Sequence, residues 1–390
     1  MSTRVQAEKE FLTSLSRYVG YTTGADVFDR FIQILNKLDG KPAIYEFEAI
    51  EEIENFGYTL NKKKPLSEKY ASGVLDFVTA LGLLKKISGE KRNGQRLNLG
   101  RGRSKLGKYE ISDVGRAIRS AVCLNNDAFK AYLVGLILAT NDADFYCLIL
   151  ECFSEGEGKR IGPYFKQRIR EIRESRVKWI NANVKHKVLR RAIADRFDWL
   201  ELSGMDVALK KQDIPDRSIE HYVSPRKKWA YEYHVDESSG RLTDGGVKYF
   251  ARLSNSGTYF WIGPSQATLD KLPFATNSMR GKIGPPRDLL RTGIEGKIDV
   301  RAGIDEWQKH CDAIAEYMRK AYPHLKLVSA NQASIGSIHL FCNFLEYEHS
   351  VTINSKEMIE KVIKENSKEF GAISSRYAKI GHYRLRMSGE

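Results

Sequence analysis

Residues 285–300, PPRDLLRTGIEGKIDV, hold the side chains whose types and spacing come nearest to bond-breaking chemistry. Drawn as a strand, Ile294 to Val300 sets Ile294, Gly296, Ile298 and Val300 on one side and Glu295, Lys297 and Asp299 on the other. An upstream acid, here Asp288, with an E-x-K pair could hold Mg²⁺ through carboxylates while the lysine orients water, the chemistry of a metal-dependent nuclease. Two features oppose it. Asp288 stands seven residues before Glu295, too little chain for a strand-to-strand crossing, and Gly293 and Gly296 favour a turn over a central strand. The expectation is a protein without catalysis of its own. Asp288, Glu295 and Lys297 become catalytic residues, and Mg²⁺ a cofactor, only under the nuclease alternative.

Other chemistries find no motif. GEGKRIG (156–162) lacks the leading glycine and the Ser/Thr of a P-loop, and GRGRSKLG (100–107) lacks the spacing of a dinucleotide turn. The eight histidines are dispersed, with no HExxH and no Cys/His zinc grouping, so neither a metal site nor another cofactor is expected. The five cysteines (123, 147, 152, 311, 342) contain no CxxC pair, which fits a reducing, cytoplasmic compartment. The longest apolar run, 131–139, is about half of the roughly 20 residues that span a bilayer, so no membrane partner is expected.

The charge is uneven. The chain carries +14, and two stretches hold more than all of it: Lys85 to Lys108 has nine Lys or Arg against Glu90, and Lys159 to Arg191 has twelve against Glu171 and Glu174. Their balances of +8 and +10 leave the rest of the chain at −4. Concentrated cations of this kind suit a polyanion, since each Lys or Arg set on a phosphate releases condensed counterions.

The elements around the first run are well marked. Val27, Phe28, Phe31, Ile32, Leu35 and Leu38 share a helical stripe, and Ile44 to Phe56 repeats it with Phe47, Ile50 and Ile53. Ser67 precedes a third helix with Val74, Leu75, Val78 and Leu81 on one face, and Gly82 stops it. Leu83–Ile87 and Lys108–Ile111 read as paired strands, and Ser112 caps the helix DVGRAIRSAV. The segments LSEKYASGVLDFVTALGLLKKI (66–87) and KYEISDVGRAI (108–118) resemble the recognition helix, first wing strand, return strand and closing helix of the winged helix-turn-helix superfamily. The resemblance covers about residues 24–120 and implies a fold rather than a target, because winged helices also serve as protein-interaction modules. One departure is a connection of 20 residues, Ser88 to Gly107, where the family has a short wing.

In the middle segment Phe129, Leu133, Leu136 and Ile137 form one stripe and Phe145, Leu148, Ile149 and Cys152 another. A basic helix follows, with Phe165, Ile169 and Ile172 inward and Lys166, Arg168, Arg170 and Arg173 expected outward. RRAIADRFDWLELSG echoes FVTALGLLKKISG, which suggests either a second winged-helix-like unit or a helical bundle. KKQDIPDRS marks a boundary near 215. Beyond it KWAYEYHV, VKYFARL and TYFWIG read as an aromatic meander of strands. Ile304–Tyr322 and Ser355–Glu369 read as helices, and KLVSA, SIHLFCNFLEY and HYRLRM as strands. The expected fold class is mixed: an N-terminal winged helix-turn-helix (1–125), a basic helical or second winged-helix-like unit (126–215) and a C-terminal α+β domain (216–390).

The partner implied is duplex DNA. Ser67, Lys69 and Ser72 would meet the groove, Lys91, Arg92, Arg96, Arg101, Arg103, Lys105 and Lys108 the backbone, and Lys166, Arg168, Arg170 and Arg173 would form a second anchoring face. The C-terminal domain would bind a protein partner or a second copy, or act on DNA. The alternatives are a nuclease or DNA-targeting component of a restriction or antiviral defence system, a replication initiator, and a protein-interaction scaffold.

Overall fold

β1 (Ile44–Tyr45) runs directly into α1 (Glu46–Thr59), and α2 (Glu68–Ala80) follows. The computed structural model describes residues 31, 44–59, 65–87, 107–185, 187–211, 214–255, 304–327, 332–373 and 384–387. Ser67 caps α2, its hydroxyl oxygen accepting from the Tyr70 N–H at 3.3 Å, so one orphan donor of the first turn is satisfied. Gly82, at φ +76°, turns the chain out of α2, a left-handed conformation that costs glycine little. β2 (Leu84–Ile87) and β3 (Lys108–Ile111) then pair antiparallel, and β1 pairs with the other side of β3, giving the order β1-β3-β2. The sequence reading placed Ile44 and Tyr45 in a helix. Both are instead in the sheet, opposite Tyr109 and Lys108.

Ser112 opens α3 (Asp113–Cys123), its hydroxyl accepting from Gly115 N at 3.0 Å. A Cβ on Gly115 would lie 2.6 Å from the Leu83 carbonyl, so glycine lets α3 approach the root of β2. Phe31, helical and fully buried, lies against the same point.

α4 (Asp127–Asn141) carries the border between two compact units, which falls at Val134 and Gly135. The unit beyond it contains α5 (Ala143–Ser154), α6 (Ile161–Asn183), α7 (Lys187–Arg196), the hairpin β4 (Leu200–Ser203) and β5 (Asp206–Leu209), and α8 (Asp216–Tyr233). It also holds the short hairpin β6 (Val235–Asp236) and β7 (Arg241–Leu242), and α9 (Asp244–Asn255). Phe145, Leu148, Ile149 and Cys152 are all buried on α5, and Phe165, Ile169 and Ile172 on α6, as their spacing predicts.

Ion pairs clamp α5 to its neighbours. Asp142 accepts from Arg226 Nε and a terminal nitrogen, each at 2.6 Å, with both side chains fully buried. Asp144 accepts two bonds from the buried Arg176 of α6, and Glu151 takes Arg168 at 2.9 Å. Nearby, the Tyr146 hydroxyl meets His234 Nδ1 at 2.7 Å, and the Tyr249 ring stacks on the imidazole at 4.4 Å. Burial drives the His234 pKa down to about 3.

The chain then returns to complete the first unit with α10 (Ile304–Leu325), β8 (Lys326–Leu327), β9 (Gln332–Ser334), α11 (Ile335–His349), α12 (Ser355–Glu365), β10 (Phe370–Ile373) and β11 (Arg384–Met387). These four strands form one antiparallel sheet in the order β10-β11-β9-β8. Tyr317 of α10 bonds Ser120 of α3 at 2.8 Å and stacks on Phe341 of α11 at 4.0 Å, while Phe129 meets Tyr317, Phe341 and Phe344. The unit borders therefore differ from the borders near 125 and 215 read in the sequence, because α10 and α11 bury their apolar faces on α3.

The described residues are mostly helical with a few small antiparallel sheets. Three expected strands are helices. KWAYEYHV lies largely in α8, VKYFARL in α9 and SIHLFCNFLEY in α11. In α8 the inward positions are Ile219, Val223, Arg226, Trp229 and Ala230, a helical spacing that a charged residue at its centre conceals. α11 is buried nearly all round, and an unbroken apolar run carries no period. TYFWIG lies outside the described residues.

Two expectations follow. Arg226→Met leaves the Asp142 carboxylate buried without its partner and should cost about 3–5 kcal/mol, whereas Asp142→Leu combined with Arg226→Met should recover most of that loss, read from urea denaturation midpoints. For His234 the folded pKa lies below the ordinary value of about 6.5, so stability is complete above that pH and falls as the pH drops toward about 3, by up to about 1.4 kcal/mol per pH unit. His234→Phe should flatten that slope whatever its effect on the level.

Candidate nucleic-acid interface

The residues expected to meet DNA fall into three groups. In α2, Ala71, Val74, Leu75, Phe77 and Val78 are buried, which turns Lys69 to solvent and leaves Ser72 half-buried. Ser67, also exposed, is committed through its hydroxyl to the helix cap. Lys69 therefore stands at the outward start of the helix.

The second group sits on the connection from β2 to β3. Lys91, Arg92, Arg96, Arg101, Arg103 and Lys105 lie outside the described residues. The roots of that connection are described. The Glu46 N–H donates to the Gly107 carbonyl at 2.8 Å, tying the return of the connection to the start of α1. Lys108 Nζ lies 4.9 Å from the Tyr45 ring centre, and that ring stacks on Phe47, which is 40% exposed. Lys85 pairs with Glu110 at 3.1 Å, and Lys86 stands 3.6 Å from Glu46. The Tyr109 hydroxyl, foremost, holds the Lys86 pKa above its ordinary value, so this ammonium stays charged at neutral pH. Tyr45 escaped the sequence reading, which took 44–56 as one helix with Phe47 on its apolar stripe and so hid the exposed ledge at the sheet edge, and Lys86 entered it only as one cation of the basic run.

The third group serves the fold. Lys166 pairs with Asp216 at 3.1 Å, Arg168 with Glu151 and Glu171, and Arg170 with Glu174 at 3.2 Å. The Arg173 guanidinium covers the Trp199 ring at 5.0 Å. Of these four only Arg170 is fully exposed. Bonds from Gln167 and then Arg168 hold the Glu171 carboxyl below the usual range, as expected of a carboxylate engaged by donors. Glu171 and Glu174 stand within about a turn of their arginines and were in the charge count, whereas Glu151 and Asp216 lie 17 and 50 residues from Arg168 and Lys166, where spacing gives no sign of the pairing.

Asp288, Glu295 and Lys297 lie outside the described residues, among which no cluster of three or more His, Cys, Asp or Glu is placed to hold a metal ion. Among the described residues no single helix is long and apolar enough to cross a membrane. No protein family, curated protein or solved structure matches this chain.

The opposed placement of Lys69 and Leu75 gives a direct check. Lys69→Ala should leave folding stability within about 0.5 kcal/mol of wild type, and Leu75→Ala should cost about 2–5 kcal/mol by chemical denaturation. Equal losses would place Lys69 on the inward face.

Proposed function

We propose that this chain binds duplex DNA without catalysis of its own, through a winged helix domain in which α2 is the recognition helix and residues 88–107 form a long wing. The observation that carries this reading is the placement of the chain's densest glycine-rich run of cations. It joins β2 to β3 in a three-stranded sheet of order β1-β3-β2, and α2, with Lys69 outward, feeds that sheet through Gly82. A helix, α2, two paired strands and a closing helix follow one another in the order that the winged helix resemblance implies, and β1 adds a third strand to the pair. Glycines let the wing backbone approach phosphates while each cation neutralises one. Lys69 and Ser72 would supply what sequence preference the helix has in a major groove, and Lys108 would grip backbone from the wing root. Lys166, Arg168, Arg170 and Arg173 drop to a minor role because their charges are engaged within the unit.

Incubation with plasmid DNA and Mg²⁺ or Mn²⁺ separates the classes. The expected result is a gel shift without cleavage. Cleavage that Glu295→Ala or Lys297→Ala abolishes would make the chain a nuclease, and neither shift nor cleavage would favour a protein-interaction scaffold. Replacing Arg92, Arg96, Arg101, Arg103 and Lys105 by alanine should weaken binding alike on all sequences, lowering the log–log salt slope by about 0.9 per lost contact. Unchanged binding would remove the wing from the interface.

A further inference from the structure

Between Glu174 and Asp195 the chain contains no carboxylate and six Lys or Arg: Arg176, Lys178, Lys185, Lys187, Arg190 and Arg191. Two of the six are interior. Arg176 is held by Asp144, and Arg190 is a tie between elements. The Arg190 guanidinium donates to the carbonyls of Asn181 and Val184 at the end of α6, to the Met205 carbonyl at 2.7 Å and to the Asp206 carboxylate at 2.7 Å. Asn181 adds a reciprocal pair with Val207, its amide donating at 2.8 Å and accepting at 2.9 Å. The end of α6, α7 and the β4–β5 hairpin are thereby fixed around one apolar core that includes Ile180, Leu189, Ile193, Phe197, Trp199 and Val207.

The outward surface of this rigid module carries Asp195, Asp198, Glu201 and Asp206, yet along the chain from Lys178 to Arg191 its exposed charged residues are all cations. Lys178, Lys185, Lys187 and Arg191 are exposed, and among the described residues none forms an ion pair. α7 has no acid in its first turn and begins with Lys187, although the helix dipole favours negative charge there. Val188 is 70% exposed in the same turn. Met205 is 55% exposed at the hairpin tip, next to Gly204, whose φ of +62° fits the first position of a tight two-residue turn. Lysines that disfavour their own helix start, together with the exposed apolar side chains of Val188 on α7 and Met205 at the hairpin tip, conflict with the local needs of folding. An anionic partner resolves the conflict.

We infer that this face is a second DNA contact, in which Lys185, Lys187 and Arg191 hold phosphates at the start of α7 and Met205 enters the minor groove from the hairpin tip. The inference rests on the proposal that the chain binds DNA, and it places the second contact on residues different from Lys166, Arg168, Arg170 and Arg173. The wing and this face belong to different compact units, so each can be removed alone.

The test uses the full chain and a random-sequence DNA duplex, with Kd measured across a salt series for four proteins: wild type, Lys185→Ala/Lys187→Ala/Arg191→Ala, Met205→Ala, and the five-residue wing variant. All four substituted positions of this face are exposed, so thermal midpoints should match wild type. The triple variant should lose about 2.7 from the salt slope, about 0.9 for each of three phosphates, and retain binding through the wing. Met205→Ala should weaken binding with its slope unchanged. A wild-type slope in the triple variant, or wild-type affinity in Met205→Ala, overturns this inference while the wing variant still reports on the winged helix reading. A wild type that binds no duplex overturns both.

Discussion

The cohesion of the 135–255 unit depends on two aspartates at the head of α5. Asp142 and Asp144 take up the guanidinium groups of Arg226 and Arg176 far from water, and the partial positive charge at the helix start favours both carboxylates there. Taking four such charges out of solvent costs several kcal/mol each, so the bonds must be well aligned and numerous to offset it. They are. Each arginine meets its carboxylate with two nitrogens, and Arg226 also donates to the Tyr222 carbonyl at 2.7 Å and lies over the Phe145 ring. Apolar burial is non-directional, whereas a forked guanidinium accepts one orientation, so these pairs set the rotation of α6 and α8 about α5.

The same chemistry divides the second basic run by purpose. Arg168, Arg176 and Arg190 spend their charge on carboxylates and carbonyls of their own unit, whereas the exposed Lys178, Lys185, Lys187 and Arg191 form no ion pair among the described residues. A run that scores as uniformly basic is thus part scaffold and part surface. The division follows burial, and burial follows the helical phase of Phe165, Ile169, Ile172 and Ile180.

Much of the local architecture was legible. Ser67, Ser112 and Gly82 act as their types and positions predict because capping and left-handed turns are decided within a few residues. β1 was not legible, since two residues carry no period. α8 was missed because its innermost position is Arg226, counted as polar, and α11 because its apolar surface is continuous. For the candidate interface, the outward position of Lys69 followed from the phase of its helix. The engagement of Lys166 by Asp216 and of Arg168 by Glu151 did not, because long-range pairing leaves no trace in spacing.

The interleaving of the two units bears on how the molecule is made. α3 finds its partners α10 and α11 only after the whole 135–293 unit has been translated. At about 5–20 residues per second, roughly 170 residues of chain separate the two halves by ~10–35 s on the ribosome. During that interval Ser120 and Phe129, which later receive Tyr317 and Phe341, have no native cover. Residues 44–123 are thus translated well before α10 and α11, the helices that complete their unit, so the growing chain carries an uncovered apolar face until those helices follow.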